Sequence, residues 1–363
     1  MSDRRLAGPV RIVGAGLLGA SIGLALKARG VDVSLFDISP STVTLAVDYG
    51  AGRAAAEGDS PQLIVVCVPP DVTAQTVAAE LAAYPDALVT DVASIKVTPL
   101  NELRALGADL SRYIGSHPMA GRERGGAVSA RADLFIGSPW VIAGHNDITY
   151  TRAAPVEDLA LDLGAVPIEM DAADHDASVA LVSHVPQVIS SLLAARLRDA
   201  PDGTVGLAGQ GLRDTTRIAS SQPELWVQIL AANAASVVPI LEAYRADLDQ
   251  VITALDELSV PGARRVVAEA IAGGNAGVAR IPGKHGQAKR FSQIIVKVSD
   301  TPGQLARLLA EIGEAGVNLE DLRLEHSPGA QIGLAEVSVV PEAEARLVEA
   351  LEARGWKIAG AFA

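Results

Sequence analysis

A histidine set where a strand gives way to a glycine-rich loop is a candidate proton acceptor, and the stretch Gly115 to Gly126, G-S-H-P-M-A-G-R-E-R-G-G, offers one at His117. The run Tyr113 to Ser116 leads into it and Pro118 follows it. Proline restrains the backbone, and an unperturbed imidazole pKa of about 6.5 allows proton acceptance near neutral pH. The plainer role, a histidine capping a turn, stays open on position alone.

Other polar residues could complete such a site. Ser94, in Asp91-Val92-Ala93-Ser94-Ile95-Lys96, stands at the expected N-cap of a helix, and its hydroxyl could instead orient His117 and a substrate hydroxyl. Further along, Arg213 and Arg217 lie four residues apart in Q-G-L-R-D-T-T-R-I-A, which on a helix places two guanidinium groups on one face, able to grip a carboxylate. A solvated charged face, or pairing with Asp214, is the alternative. Trp226 could wall the same pocket. His175 and His184 are nine residues apart on one expected helix, about two and a half turns, so they point to nearly opposite faces and no metal site is expected. At most one would face a cleft, and either could be an ordinary core or surface histidine.

These residues need elements to position them. Val10 to Val13 reads as a strand, followed by Gly14-Ala15-Gly16-Leu17-Leu18-Gly19 and a helix over Ala20 to Arg29. In that context the three glycines permit a tight turn, close approach to a pyrophosphate and close helix-to-strand packing, while the helix N-terminus supplies donors. A second strand, Val31 to Phe36, ends in Asp37, whose carboxylate can accept from ribose hydroxyls and would repel a 2'-phosphate. NAD is therefore expected rather than NADP. Alternation continues with a helix at Ser41 to Tyr49, the strand Leu63 to Val68, a helix over Val72 to Ala83, the strand Ala87 to Thr90, a helix around Lys96 to Ala105 and the strand Arg112 to Ser116. This predicts a Rossmann-like, doubly wound parallel sheet with ligands at the carboxyl ends of the strands, where Val68, Pro69, Asp91, Ser94 and His117 fall.

A helix over Val128 to Leu134 and strands at Trp140 to Ala143 and Val166 to Met170, bracketing a helix near Ile148 to Leu163, complete an expected dinucleotide-binding domain, residues 1–170. Apolar residues at helical spacing then predict an all-helical substrate and dimerisation domain, 171–280. Within it Leu225 to Leu241 runs without a charge but is shorter than the roughly 20 residues of a spanning helix, so it reads as a buried helix. Helices over Pro223 to Leu258 and Gly262 to Ala272 carry wide apolar stripes that suggest a homodimer. Gly273 to Gln287, with Arg280, Lys284 and His285, reads as a linker, or as a basic loop folding over an anionic ligand. The order strand, helix, strand, strand, helix, strand over 291–363 predicts a ferredoxin-like split unit.

The chain has 363 residues, enough for two or three domains at roughly 100 to 200 residues each. Its net charge of -13 argues against a nucleic-acid or anionic-membrane surface and leaves small molecules or copies of itself as partners. One cysteine, Cys67, excludes an internal disulfide and suggests a buried residue in a reducing compartment. No apolar core follows Arg4 and Arg5, so no secretory signal is expected and a cytoplasmic location is.

In family order, the glycine turn, D-x-x-S-x-K at Asp91 to Lys96, S-H-P-M-A-G at Ser116 to Gly121, the histidines at 175 and 184 and R-D-x-T-R-I-A at Arg213 to Ala219 resemble the prephenate and arogenate dehydrogenases of tyrosine biosynthesis. The final unit resembles an ACT domain through D-x-P-G-x-L at Asp300 to Leu305 and V-N-L at Val317 to Leu319. The resemblance implies oxidative decarboxylation with NAD. His117 would be the base, Ser94 its orienting partner and Arg217 the carboxylate anchor, with Arg213, His184 and Trp226 in the pocket and Glu123 at its mouth. It also implies an amino-acid effector, tyrosine, at Asp300, Gly303, Gln304, Leu305 and Asn318. Arg122 and Arg124 beside Glu123 could attract a dicarboxylate, which favours prephenate over arogenate. Two rivals remain. A hydroxyacid or 6-phosphogluconate-type dehydrogenase would present a lysine where His175 and His184 stand, and a non-catalytic sensor would keep NAD and bind an amino acid.

Overall fold

Val10–Val13, four buried apolar residues, form β1 of a computed structural model that describes residues 5–122, 125–281, 291–326 and 332–362. The chain continues through α1 (Leu17–Ala28), β2 (Val33–Phe36), α2 (Pro40–Asp48), β3 (Arg53–Ala54), β4 (Leu63–Val66), α3 (Pro70–Ala83), β5 (Leu88–Asp91), α4 (Val97–Ala105), β6 (Tyr113–Pro118), β7 (Pro139–Gly144), α5 (Tyr150–Asp162) and β8 (Val166–Asp171). All eight strands join one sheet in the order β3-β2-β1-β4-β5-β6-β7-β8. β1, β4 and β5 are buried throughout, as strands covered on both faces must be. Strand order reverses between β1 and β4, which makes their carboxyl ends the natural ligand crevice of such a sheet.

Three expectations change here. β6 runs two residues further than expected and takes in His117, which pairs with Val141 of β7, and β7 lies antiparallel to β6, so the sheet is mixed. His117 is thus held by a ladder on the strand itself rather than by a following turn. Over 128–134 the chain makes a single 3-10 turn, Ala127–Ser129, and further turns in place of the expected helix.

Beyond β8 come α6 (Ala172–Val179), a π-helical turn (Ala180–His184), α7 (Val185–Ala195), α8 (Asp202–Val205), α9 (Gln210–Thr216), a 3-10 turn (Arg217–Ala219), α10 (Pro223–Ala232), α11 (Ala234–Asp256) and α12 (Ala263–Val278). The run Leu225 to Leu241 is therefore two helices, bent by 95° at Asn233. α12 passes through Gly273, Gly274 and Gly277, so the expected linker begins as helix; Lys284 and His285 lie outside the described residues. Ala172–Ala195 is long and apolar enough to cross a membrane by composition. Its buried side, however, carries the polar residues His175, Asp176, His184 and Gln187, and α6 packs on β7, β8 and α4.

β9 (Ser292–Ser299), α13 (Gln304–Glu314), β10 (Asp321–His326), β11 (Ile332–Val339), α14 (Pro341–Ala353) and β12 (Lys357–Phe362) close the chain. They form a second, antiparallel sheet in the order β10-β11-β9-β12. Ile294, Val296 and Val298 on one face of β9 pack with Leu308, Ile312, Leu347 and Leu351 of the helices. The expected turn at Ser327 to Gly329 lies outside the described residues. The chain divides into two compact units, residues 1–200 with 215–244, and 201–214 with 245–363.

Candidate active site

Three side chains drawn from two elements meet at the end of β6. His117 Nδ1 lies 2.9 Å from His175 Nε2, and His175 Nδ1 lies 2.8 Å from Asp176 Oδ1. His175 is wholly buried, whereas His117 keeps 9% of its surface exposed, so His117 is the member of the pair that a small molecule can reach. Asp176 is anchored in turn by α4: its Oδ1 accepts from Lys96 N at 2.8 Å and its Oδ2 from Val97 N at 2.9 Å. The cap expected of Ser94 is thus supplied by a carboxylate 80 residues away. Ser94 is half-buried, and among the described hydrogen bonds His117 is joined to His175 rather than to Ser94.

Beneath β6 a buried ion pair sets the strand. Lys96 Nζ binds Asp91 Oδ1 and donates to Ser116 O at 2.6 Å, and both charged side chains are buried. Asp91 is further satisfied by the Tyr113 hydroxyl at 2.7 Å and by Ala93 N at 2.8 Å. Such a pair survives burial only with further hydrogen bonds around it, and here the Asp91 carboxylate accepts three and the Lys96 ammonium donates two. Its effect is local: the carbonyl preceding His117 is tied down from below. Burial holds the His117 imidazole well below its usual pKa, and the nearby His175, Lys96 and His184 side chains, each of which would repel a second positive charge, act in the same direction. The ring is therefore neutral near pH 7 and able to take up a proton.

His184 joins the same neighbourhood, contrary to the opposite-face expectation. The π-helical turn Ala180–His184 takes up one residue more per turn than an α-helix, which swings His184 toward the His175 side by about 100°. Asn233, at the α10–α11 break, donates through Nδ2 to Asp176 O at 2.7 Å and to His184 Nδ1 at 3.1 Å. Trp226 meets His184 edge-on at 6.0 Å between ring centroids. Burial pushes His184 down to about 4, with Asp176 opposing and His175 reinforcing.

The arginines behave differently from each other. α9 ends at Thr216 and Arg217 opens a 3-10 turn, so Arg213 and Arg217 do not share a regular helix face. Arg217 is exposed on a turn that packs against α7, where Gln187 Nε2 donates to Ser221 Oγ at 2.7 Å. Arg213 is exposed and belongs to the other compact unit, where the neighbouring Asp214 accepts from Gln210 at 2.8 Å. Glu123 and Arg124 lie outside the described residues, while Arg122 donates to Ser129 O at 3.1 Å.

At the switch point of the sheet the glycine turn has the form a dinucleotide needs. Gly14 sits at φ +99° with a would-be Cβ 2.4 Å from Cys67 O, and a Cβ on Gly19 would stand 1.9 Å from Gly14 O. Both positions exclude a side chain through contacts within the protein. Gly16, the N-cap of α1, has nothing within 4 Å of its would-be Cβ, so the open space above it is available to a ligand. Asp37 Oδ2 accepts from Ala15 N at 2.8 Å and Oδ1 from Ser39 N at 2.9 Å, which docks the carboxylate against the turn. Leu17 and Leu18 open α1, and Val68 and Pro69 follow β4 beside Gly14. These residues fit NAD.

In the C-terminal sheet unit, Asp300 and Gly303 are exposed on the turn before α13, with Gly303 at φ +89° as its N-cap and Gln304 N bonded to Thr301 O at 3.3 Å. Leu305 is half-buried, and Asn318 Nδ2 donates to Glu320 Oε1 at 2.8 Å.

Sequence reasoning passed over Lys96, Asp176 and Asn233 as site residues. The histidine-aspartate adjacency at 175–176 and the D-x-x-S-x-K motif were the available signals; only their meeting in space reveals the use.

Two family descriptions match the chain: "Prephenate dehydrogenase, nucleotide-binding domain" over residues 22–169 and "Prephenate dehydrogenase, dimerization domain" over 171–268. A probable prephenate dehydrogenase of Streptomyces niveus, NovF, is 35% identical over 95% of this chain and 98% of its own. Among solved structures, the Synechocystis arogenate dehydrogenase is 29% identical with a TM-score of 0.60, covering 74% of this chain and 99% of that one. The Aquifex aeolicus prephenate dehydrogenase bound to hydroxyphenyl propionate and NAD+ shares the fold, with a TM-score of 0.66 at 24% identity over 76% of this chain and 100% of that one.

Proposed function

Since the chain belongs to the prephenate dehydrogenase family, we propose that it is an NAD-dependent enzyme that oxidatively decarboxylates prephenate to 4-hydroxyphenylpyruvate at the His117 end of β6. The observation that carries this reading is His117 itself: neutral, nearly buried and fixed by a hydrogen bond to His175. Bound NAD supplies a hydride acceptor. His117 takes the proton of the ring hydroxyl as the carbon that bears it becomes a carbonyl. The bond to the ring carboxylate then breaks, carbon dioxide leaves, and its electron pair completes the aromatic ring as the carbonyl oxygen takes a proton back to become the phenol hydroxyl. Ser94, half-buried after β5, would steady the hydroxyl. His184 and Trp226 would line the ring pocket, and Arg217 would hold the side-chain carboxylate through charge-assisted hydrogen bonds. Glu123 and Arg213 are proposed as further substrate-binding residues on the strength of the family resemblance alone.

Gly14, Gly16 and Gly19 with Leu17 and Leu18 would cradle the pyrophosphate. Asp37, already turned toward that loop, would receive the ribose hydroxyls, and Val68 and Pro69 would flank the nucleotide. Arogenate is the second reading, favoured by the similarity to the Synechocystis enzyme. NADH formation measured with prephenate and then with arogenate tests both. A rate with neither substrate would sink the assignment and leave a non-catalytic binder.

We further propose three functional regions: 1–170 for the nucleotide, 171–280 for substrate and dimer contacts, and 291–363 as an ACT-type regulatory unit. Exposed Leu248, Ile252 and Leu255, spaced along α11, support a homodimer built through helices. The strand order β10-β11-β9-β12 and the left-handed Gly303 support a ferredoxin-like ACT unit that receives tyrosine near Asp300, Gly303, Gln304, Leu305 and Asn318. Removing 291–363 should abolish inhibition by tyrosine without abolishing turnover. Persisting inhibition would refute the regulatory role. A reducing, cytoplasmic setting accords with the single cysteine.

A further inference from the structure

We infer that Asp176 and His175 are positioning residues that select the tautomer of His117, placing its proton on Nδ1 and leaving the Nε2 lone pair for the substrate. This rests on the proposed role of His117 as base.

The direction of each bond follows from the one group whose polarity is unambiguous. Asp176 accepts a backbone N–H on each carboxylate oxygen at the start of α4, from Lys96 and Val97. A carboxylate only accepts. His175 Nδ1, 2.8 Å from Oδ1, must therefore carry a hydrogen, and a neutral His175 then has its lone pair on Nε2. His117 Nδ1, 2.9 Å from that nitrogen, has to donate. A neutral His117 is left with an unprotonated Nε2. Burial makes the selection effective, since His175 is fully enclosed and Asp176 nearly so, with no solvent to supply a competing donor. Asn233 Nδ2 on the Asp176 carbonyl and the Lys96 bond to the Ser116 carbonyl hold the two ends of the relay in place.

An imidazolium at His175 would reverse the outcome: its Nε2–H would donate, His117 Nδ1 would accept, and the proton of His117 would sit on Nε2 and block it. NMR of isotope-labelled histidine in the intact protein separates the two arrangements. Among the six histidines, the His117 signals are those lost in His117→Asn. Nδ1 protonated and Nε2 bare is the expected result near neutral pH. Nε2 protonated would overturn the inference, and the protonation state is read on the wild-type protein, the variant serving only to assign the signals.

Two substitutions then ask whether the relay matters to turnover. His175→Leu removes the acceptor and should lower kcat by about 100-fold, the lower range of what a general base contributes, while KM and NAD affinity hold. His175→Gln, whose amide oxygen can accept from His117 Nδ1–H, should recover most of that loss. A purely structural histidine would make Leu and Gln alike, and a kcat within about twofold of wild type in His175→Leu would refute the positioning role. The proposed reaction fails separately: no NADH from either substrate, beside an Nδ1-protonated His117, would leave the relay standing and remove the assignment.

Discussion

The glycine turn after β1 and the histidine end of β6 both serve the same proposed reaction, yet they are built in opposite ways. The turn is local: Gly14, Gly16 and Gly19 act within six residues, and the space above Gly16 is open. The β6 end is assembled from distant segments, β5, α4, α6 and the α10–α11 break, and its polar atoms are met by side chains up to 80 residues away. A nucleotide cradle needs absent side chains and free donors, which a short motif can encode. A neutral base with a defined lone pair needs neighbours on several sides.

That contrast predicts a graded set of effects. His117→Asn should lower kcat by about 100-fold to 10,000-fold, the usual contribution of a general base, with NAD affinity nearly intact; unchanged turnover in a steady-state assay would remove His117 from the chemistry. His184 gives the next largest effect, on stability. Its folded pKa of about 4 lies below the ordinary 6.5, so as pH falls through this window the unfolded chain binds the proton first. Stability is complete above the upper value and declines toward the lower, by up to roughly 3 kcal/mol at 1.36 kcal/mol per unit. Urea denaturation at both ends of the window should show that decline in the wild type and a smaller one in His184→Gln.

Arg217→Ala should raise KM for the diacid by about tenfold or more, the worth of a charge-assisted hydrogen bond, and lower kcat far less. A selective fall in kcat would contradict an anchoring role. The smallest and most diagnostic effect is expected in the glycine turn. Gly16→Ala should leave the melting temperature unchanged while weakening NAD by about tenfold, roughly 1.4 kcal/mol. Gly19→Ala should lower the melting temperature itself, because its added Cβ meets the Gly14 carbonyl. Calorimetry with NAD titration distinguishes the pair, and equal behaviour would mean that Gly16 does not approach the ligand.

Much of the fold could be read in the residues. The alternation of apolar runs with helical stretches through β6 anticipated the sheet, and Asp37 was located by its distance from the glycines. Failures fell where tertiary contact overrides local pattern. β7 turned out antiparallel, a feature no local periodicity records, because a strand of either direction alternates its side chains alike. Ser94 looked like a cap because serine at a helix start usually is one, but a buried carboxylate from α6 took the same donors. The nine-residue spacing of His175 and His184 assumed a regular helix, and the π turn changed the phase.

The order of residues by itself determined the glycine turn, the acidic strand end and the presence of His117 at the rim of a sheet, since each depends on backbone geometry within a few positions. Only the tertiary structure decided which partner orients His117, that Lys96 underpins its strand, and that His184 turns inward. Those outcomes hang on hydrogen bonds between segments far apart in the chain, and in a buried setting each donor takes whichever acceptor the packing brings within reach.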